Sequence, residues 1–117
     1  MSTKAERRAA RIAGLSDDYR DLLLALADHK RFAHVAWVKM CRYADTLDLR
    51  LEYQALETAH REALYQTSLE ADLVAAELPK RLAGRIVREV AGPDAKFHMP
   101  HRGRRNGNCG GWLRRNS

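Results

Sequence analysis

Three arginines at helical spacing are the residues of this chain best suited to chemistry. Arg81, Arg85 and Arg88 lie four and three residues apart within "PKRLAGRIVREVAGP", a spacing that places them on one face of a helix. A nucleic-acid backbone is a dense line of phosphates, and the planar guanidinium group donates two parallel hydrogen bonds to a phosphate. The spacing therefore predicts a surface for phosphate contacts.

The last seventeen residues, "HRGRRNGNCGGWLRRNS", form a second cationic segment with five arginines and no acid. Trp112 lies between two pairs of arginines, where its ring could stack on an unpaired base. Both features have a simpler explanation, in which the helix face is only solvated and the tail is disordered. A third explanation is that the cations bind an acidic protein surface. The predicted binding residues of the tail are Arg102, Arg104, Arg105, Trp112, Arg114 and Arg115.

Charge is unevenly distributed along the chain. The formal net charge is +6, but the cations concentrate near both ends, whereas residues 45–78 hold eight acids against Arg50 and Arg61. This asymmetry favours a polyanionic partner, self-association of the tail with the body, or both. Ends that only keep the chain in solution would show the same pattern.

Two groups of residues have the types that bind metals, but neither group is complete. His98, His101 and Cys109 have the ligand types of zinc without a fourth ligand nearby. Glu57 and His60 in "ETAH" have the spacing of a di-iron or di-manganese bundle, which needs further carboxylates on facing helices. We therefore predict no metal and no cofactor.

Enzymatic activity is not expected either. Cys41 lies in an apolar helical pattern, where a cysteine usually behaves as a small hydrophobic residue, and Cys109 lies in a glycine-rich segment. The "GGW" stretch lacks the lysine and the following helix of a phosphate-binding loop.

Glycine and proline are nearly absent from residues 15–78, so the fold class is predicted to be all-α. A short basic helix is expected from about residue 3 to residue 13, ended by Gly14, with Ser16 as the N-cap of the next helix. Apolar residues at steps of three and four then predict a long amphipathic helix. Its stripe is Tyr19, Leu22, Leu23, Leu26, Ala33, Trp37, Met40, Ala44, Leu47 and Leu51.

The stripe changes phase near residues 45–53, which leaves two arrangements open. Residues 17–78 form either one helix that needs a partner chain or two helices that break near "ADTLD", with Asp45 as the cap of the second and Asp48 at its third position. We favour the break because two helices can cover each other's apolar faces. Pro79 then suits the first turn of a further helix, and Gly92 followed by Pro93 ends it.

The predicted architecture is a long antiparallel helical hairpin with one or two short basic helices and an irregular basic C-terminal tail. Its parts are an N-terminal basic helix or arm (1–14), a helical domain (15–92) and a Gly/Arg-rich tail (93–117). Two cysteines, no secretory signal and no run of about 18 apolar residues favour a cytoplasmic protein without a membrane partner.

These observations predict a non-catalytic module that binds DNA, RNA or a nucleoprotein complex through arginine contacts to phosphates. The alternative is a protein interaction module, such as an inhibitor, adaptor or assembly component, that presents its acidic helix 45–78 to a basic partner. A homodimer is compatible with either function because the apolar stripe is wide.

Overall fold

The computed structural model of the chain describes residues 3–97, and this part of the chain is all-α, as predicted. It contains three helices and no strand: α1 (Lys4–Arg42), α2 (Leu47–Ala76) and α3 (Lys80–Ala91). The predicted tail residues Arg102, Arg104, Arg105, Trp112, Arg114 and Arg115 lie outside the described residues. The zinc candidates His98, His101 and Cys109 do as well.

The predicted end of a first helix at Gly14 is wrong, because α1 continues through that residue. Gly14 has open space within 4 Å of where its Cβ would lie, and it does not adopt a positive φ. A glycine inside a helix costs about 1 kcal/mol, which the hydrogen bonds and packing on both sides of it outweigh. Ser16 is likewise not an N-cap, since its hydroxyl donates to the carbonyl of Ile12, one turn back, at 2.8 Å.

The predicted break between two long helices is confirmed at residues 43–46. Tyr43 to Asp45 form a turn, and α2 begins at Leu47. The carbonyl of Thr46 accepts the first helical hydrogen bond, from the Arg50 N–H at 2.9 Å, so Thr46 rather than Asp45 occupies the N-cap position. Asp48 lies in the first turn of α2, where its charge complements the helix dipole.

Helix α3 has the boundaries that its proline and glycine predicted. Pro79 is the N-cap, and its carbonyl accepts the Ala83 N–H at 3.0 Å. Gly92 ends the helix with φ 107°, a conformation that favours glycine, and its N–H donates to the Arg88 carbonyl at 3.0 Å.

The chain divides into two compact units. Unit 1 comprises Met1–Leu24 and Ser68–Ser117, and unit 2 comprises Ala25–Thr67. In the described part of unit 1, the start of α1 and the end of α2 pack with α3, and Ala83 and Ile86 are fully buried. The other buried apolar residues of this unit are Tyr19, Ala71, Ala75 and Leu78.

Unit 2 is built from the end of α1 and the start of α2. The Tyr43 and Tyr53 rings stack at 5.8 Å, and the Phe32 and His60 rings lie 5.5 Å apart. These ring contacts join the end of α1 and the following turn to α2. Its buried apolar residues are Leu26, Ala33 and Ala36.

The buried stripe of α1 follows the predicted period but includes different residues at its end. Tyr19, Leu26 and Ala33 are buried as predicted, whereas Trp37 is 48% exposed and its neighbour Ala36 is buried instead. The buried apolar positions of α1 are separated by seven, seven and three residues, a spacing that repeats about every two helical turns.

Candidate nucleic-acid interface

Arg81, Arg85 and Arg88 are all exposed and share one face of α3. The opposite face carries Ala83 and Ile86, which are fully buried in unit 1. Because a helix rises about 1.5 Å per residue, the three arginine Cα atoms span about 10 Å along the helix axis. The predicted cationic stripe is therefore displayed to solvent by a helix whose other side is anchored.

The one carboxylate of α3, Glu89, is already bound to another helix of the same unit. Arg20 of α1 donates to both of its oxygens, with Nε to Oε2 at 2.8 Å and Nη2 to Oε1 at 3.5 Å. These hydrogen bonds, together with the charges of Arg20 and Arg85, hold the pKa of Glu89 below its usual range. Arg20 also donates to Asp17 at 3.3 Å, so Arg20 is the cation that these two acids share.

Among residues 3–97, no acid forms an ion pair with the three α3 arginines. A Cβ at Gly84 would lie 3.4 Å from Nη1 of Arg88 and 3.7 Å from the Phe97 ring. The guanidinium group of Arg88 thus lies over a position without a side chain. The charge of Arg85 nevertheless lies close enough to Glu89 to lower the pKa of that carboxyl.

The N-terminal part of α1 adds further exposed cations to unit 1. Lys4, Arg7, Arg8 and Arg11 are exposed, and Arg11 donates to Glu77 at 2.8 Å. The hydroxyl of Thr3 accepts the Glu6 N–H at 3.1 Å and so caps the first turn.

The acidic helix 45–78 is less uniformly anionic than its sequence indicates. Glu77 pairs with Arg11, Glu57 has a side chain only 14% exposed beside Arg61 at 3.9 Å, and Asp72 is largely removed from water. The five acids of this helix that are exposed and form no ion pair among residues 3–97 are Asp45, Asp48, Glu52, Glu62 and Glu70.

One acidic groove lies within unit 1. Asp18 and Asp21 of α1 and Glu70 of α2 line it together with Leu22, Leu73 and Val74, and its volume is about 460 Å³. Leu73 is 71% exposed, so an apolar surface lies beside the three carboxylates.

A buried polar cluster in unit 1 was missed from the sequence. Ser68 is fully buried, and neither its hydroxyl nor Oδ2 of Asp72 has a hydrogen-bond partner among the described residues. Burial raises the pKa of Asp72 to about 6. Burial and the nearby charge of Asp72 raise the pKa of Tyr19 to about 12. The sequence signal for this cluster was spacing. Ser68 and Asp72 are four residues apart, with the small residue Ala71 between them, so all three lie on the core side of α2.

His29 and His60 of unit 2 lie side by side. Nδ1 of His29 lies 3.4 Å from Nδ1 of His60, and Glu57, the predicted carboxylate neighbour, lies near Arg61. Over residues 3–97, no three metal-ligating side chains of the His, Cys, Asp and Glu types come together.

No helix among the described residues combines the length and the apolar composition that a membrane span requires. Comparison of the chain with protein-family models, with curated proteins and with solved structures finds no match in any of the three.

Proposed function

We propose that this protein binds nucleic acid without catalysing a reaction, and that Arg81, Arg85 and Arg88 contact consecutive phosphates. The observation that carries the proposal is the pairing of Glu89 with Arg20. It occupies the only acid on α3, and among residues 3–97 the three arginines form no ion pair, although the charge of Arg85 acts on Glu89.

Counterion release supplies the driving force for such contacts. Each phosphate that a cation neutralises frees condensed counterions, so three contacts to duplex DNA give a slope of log K against log salt of roughly −3. The arginines of the tail would steepen this slope, and Trp112 would add stacking on single-stranded substrates. The long antiparallel hairpin with an irregular basic tail is part of this proposal. The ring contacts Phe32–His60 and Tyr43–Tyr53 support the hairpin.

The test is a titration of labelled single-stranded DNA, duplex DNA and RNA by fluorescence anisotropy at several salt concentrations. We expect Arg81→Gln/Arg85→Gln/Arg88→Gln to weaken binding at least about tenfold at low salt and to reduce the salt slope by about 3. Deleting residues 98–117 separately measures the contribution of the tail.

A matched control removes three other exposed arginines whose guanidinium groups already contact oxygen atoms. These are Arg31 beside Asp28, Arg50 beside the Ala44 carbonyl and Arg61 beside Glu57. Their replacement by glutamine changes the net charge equally and is expected to cost much less affinity. Equal losses for the two triple variants, or no binding at low salt, would contradict the proposal.

A protein partner is the second candidate, and the acidic groove of unit 1 favours it. Carboxylates of Asp18, Asp21 and Glu70 beside the exposed Leu73 fit a basic segment with an apolar residue. Purification from native lysate with and without nuclease distinguishes the two candidates. Partners that resist nuclease and are lost on Glu70→Lys support the protein interface, whereas partners removed by nuclease support the nucleic-acid interface.

A further inference from the structure

Exposed apolar surface is concentrated in unit 2. Of the ten large hydrophobic side chains that the described residues expose, only Leu24 and Leu73 belong to unit 1. The other eight are Phe32, Val35, Trp37, Val38, Leu47, Leu51, Leu56 and Tyr65.

The interior of unit 2 is correspondingly thin. Its buried apolar residues are one leucine, Leu26, and two alanines, Ala33 and Ala36. Two helices touch along one stripe only, so they cannot cover apolar residues that lie elsewhere on their surfaces. The eight side chains therefore expose more apolar surface than the contact between two helices can cover.

The two helical segments of unit 2 carry opposite charge. In residues 25–42 of α1, four cations face one acid, Asp28, which pairs with Arg31 at 3.1 Å. In residues 47–67 of α2, four acids accompany Arg50 and Arg61. After the ion pairs within each helix are counted, Lys30, Lys39 and Arg42 remain on α1 without an ion pair among residues 3–97. On α2 the residues that remain are three acids, Asp48, Glu52 and Glu62, and one cation, Arg50.

The outer surface of α2 also has a depression suited to a side chain from another helix. Ala55, Thr58 and Ala59 are small, and with Leu51, Gln54 and Glu62 they line a shallow, open part of the α2 surface. Both Leu51 and Glu62 are exposed, so this surface offers apolar contact and negative charge together.

We propose that unit 2 is completed by a second copy of the chain, with α1 of each copy against α2 of the other in a four-helix bundle. This pairing repeats one contact twice around a two-fold axis. It places the cationic, apolar surface of α1 on the anionic, apolar surface of α2. The pairing of α1 with α1, or of α2 with α2, would bring like charges together.

A nucleic acid does not fit the same surface, because phosphates gain nothing from Phe32, Leu51 or Tyr65 and are repelled by Glu52 and Glu62. The dimer is independent of the α3 arginines, which belong to unit 1. Loss of the dimer and loss of nucleic-acid binding are therefore separate outcomes.

Sedimentation equilibrium and light scattering from about 1 to about 100 µM protein provide the first test. We expect the wild type to be a dimer at the upper end of this range. Leu51→Gln/Tyr65→Gln is expected to raise the dissociation constant at least about tenfold with unchanged helix content, because both side chains are half exposed in the single chain. The matched control Leu24→Gln/Leu73→Gln alters exposed leucines of unit 1 and is expected to leave the dimer intact.

Charge reversal tests which helices meet. The first variant, Lys30→Glu/Arg42→Glu, makes both segments of unit 2 acidic, and the second variant, Glu52→Lys/Glu62→Lys, makes both basic. Each alone is expected to associate at least about tenfold more weakly than the wild type, and an equimolar mixture of the two is expected to form a 1:1 heterodimer. A wild type that stays monomeric throughout, a control that dissociates equally, or a first variant that self-associates like the wild type would overturn the proposal.

Discussion

Replacing Asp72 by asparagine tests the energetic cost of the carboxylate within unit 1. Burial raises the pKa of this group from 3.8 to about 6, so the folded state binds a proton that the unfolded state has already released between these pH values. Stability associated with Asp72 is therefore complete below about pH 4 and falls as the pH rises to about 6. Asparagine has nearly the same shape but no charge, so the variant does not lose stability as the pH rises.

The magnitude follows from the size of the shift. One pKa unit corresponds to about 1.4 kcal/mol, so a shift of about 2 units sets an upper limit of roughly 3 kcal/mol. Asp72 retains some contact with water, which screens the charge and reduces the expected gain at pH 7 to about 1–2 kcal/mol. A gain of this size raises the melting temperature by about 4–8 °C.

The assay is thermal and urea unfolding, followed by circular dichroism, of both proteins between about pH 4 and pH 8. The difference in free energy of unfolding is expected to be near zero at the acidic limit and to reach a plateau above about pH 7. Glu70→Gln serves as the control, since it removes one exposed negative charge from the same helix. A less stable variant at pH 7, or a difference that does not change with pH, would show that the Asp72 carboxylate has a stabilising partner and would refute the reasoning.

Two further substitutions probe the stability of unit 1. Gly14→Ala is expected to raise the free energy of unfolding by about 0.5–1 kcal/mol, because the site is helical and has open space for a methyl group; a loss of stability in urea titrations would disagree. Ile86→Ala is expected to lower it by about 2–5 kcal/mol, because Ile86 is fully buried. Leu24→Ala, at a site 52% exposed, is its control and should cost less than about 1 kcal/mol in the same titrations.

The sequence predicted well those features that depend on local signals. Helix α3 was located correctly because Pro79 and Gly92 mark its limits and its apolar and cationic residues alternate with the helical period. The turn at residues 43–46 was located correctly because the apolar stripe changes phase there. Gly14 was misjudged because its cost of about 1 kcal/mol is small beside the cooperativity of a long helix.

Features that join distant parts of the chain were not predictable in the same way. Arg20 and Glu89 are 69 residues apart, and each could pair with many other charged residues until the helices are placed. The cluster of Tyr19, Ser68 and Asp72 has the same origin, since only packing shows that a polar residue on α2 faces a buried tyrosine on α1. The sequence therefore predicted that three arginines share one exposed face of α3, but not that Glu89 of the same helix pairs with Arg20.

The two units bury different numbers of apolar residues, and this difference predicts where α1 unfolds locally. Residues 4–24 of this helix belong to a unit with six buried apolar residues, including Ile86 and Leu78, whereas residues 25–42 rest on Leu26 and two alanines. Local unfolding requires less free energy where less apolar surface is buried. One continuous helix should therefore show a step in amide hydrogen exchange near residue 25, with faster exchange toward its C-terminal end.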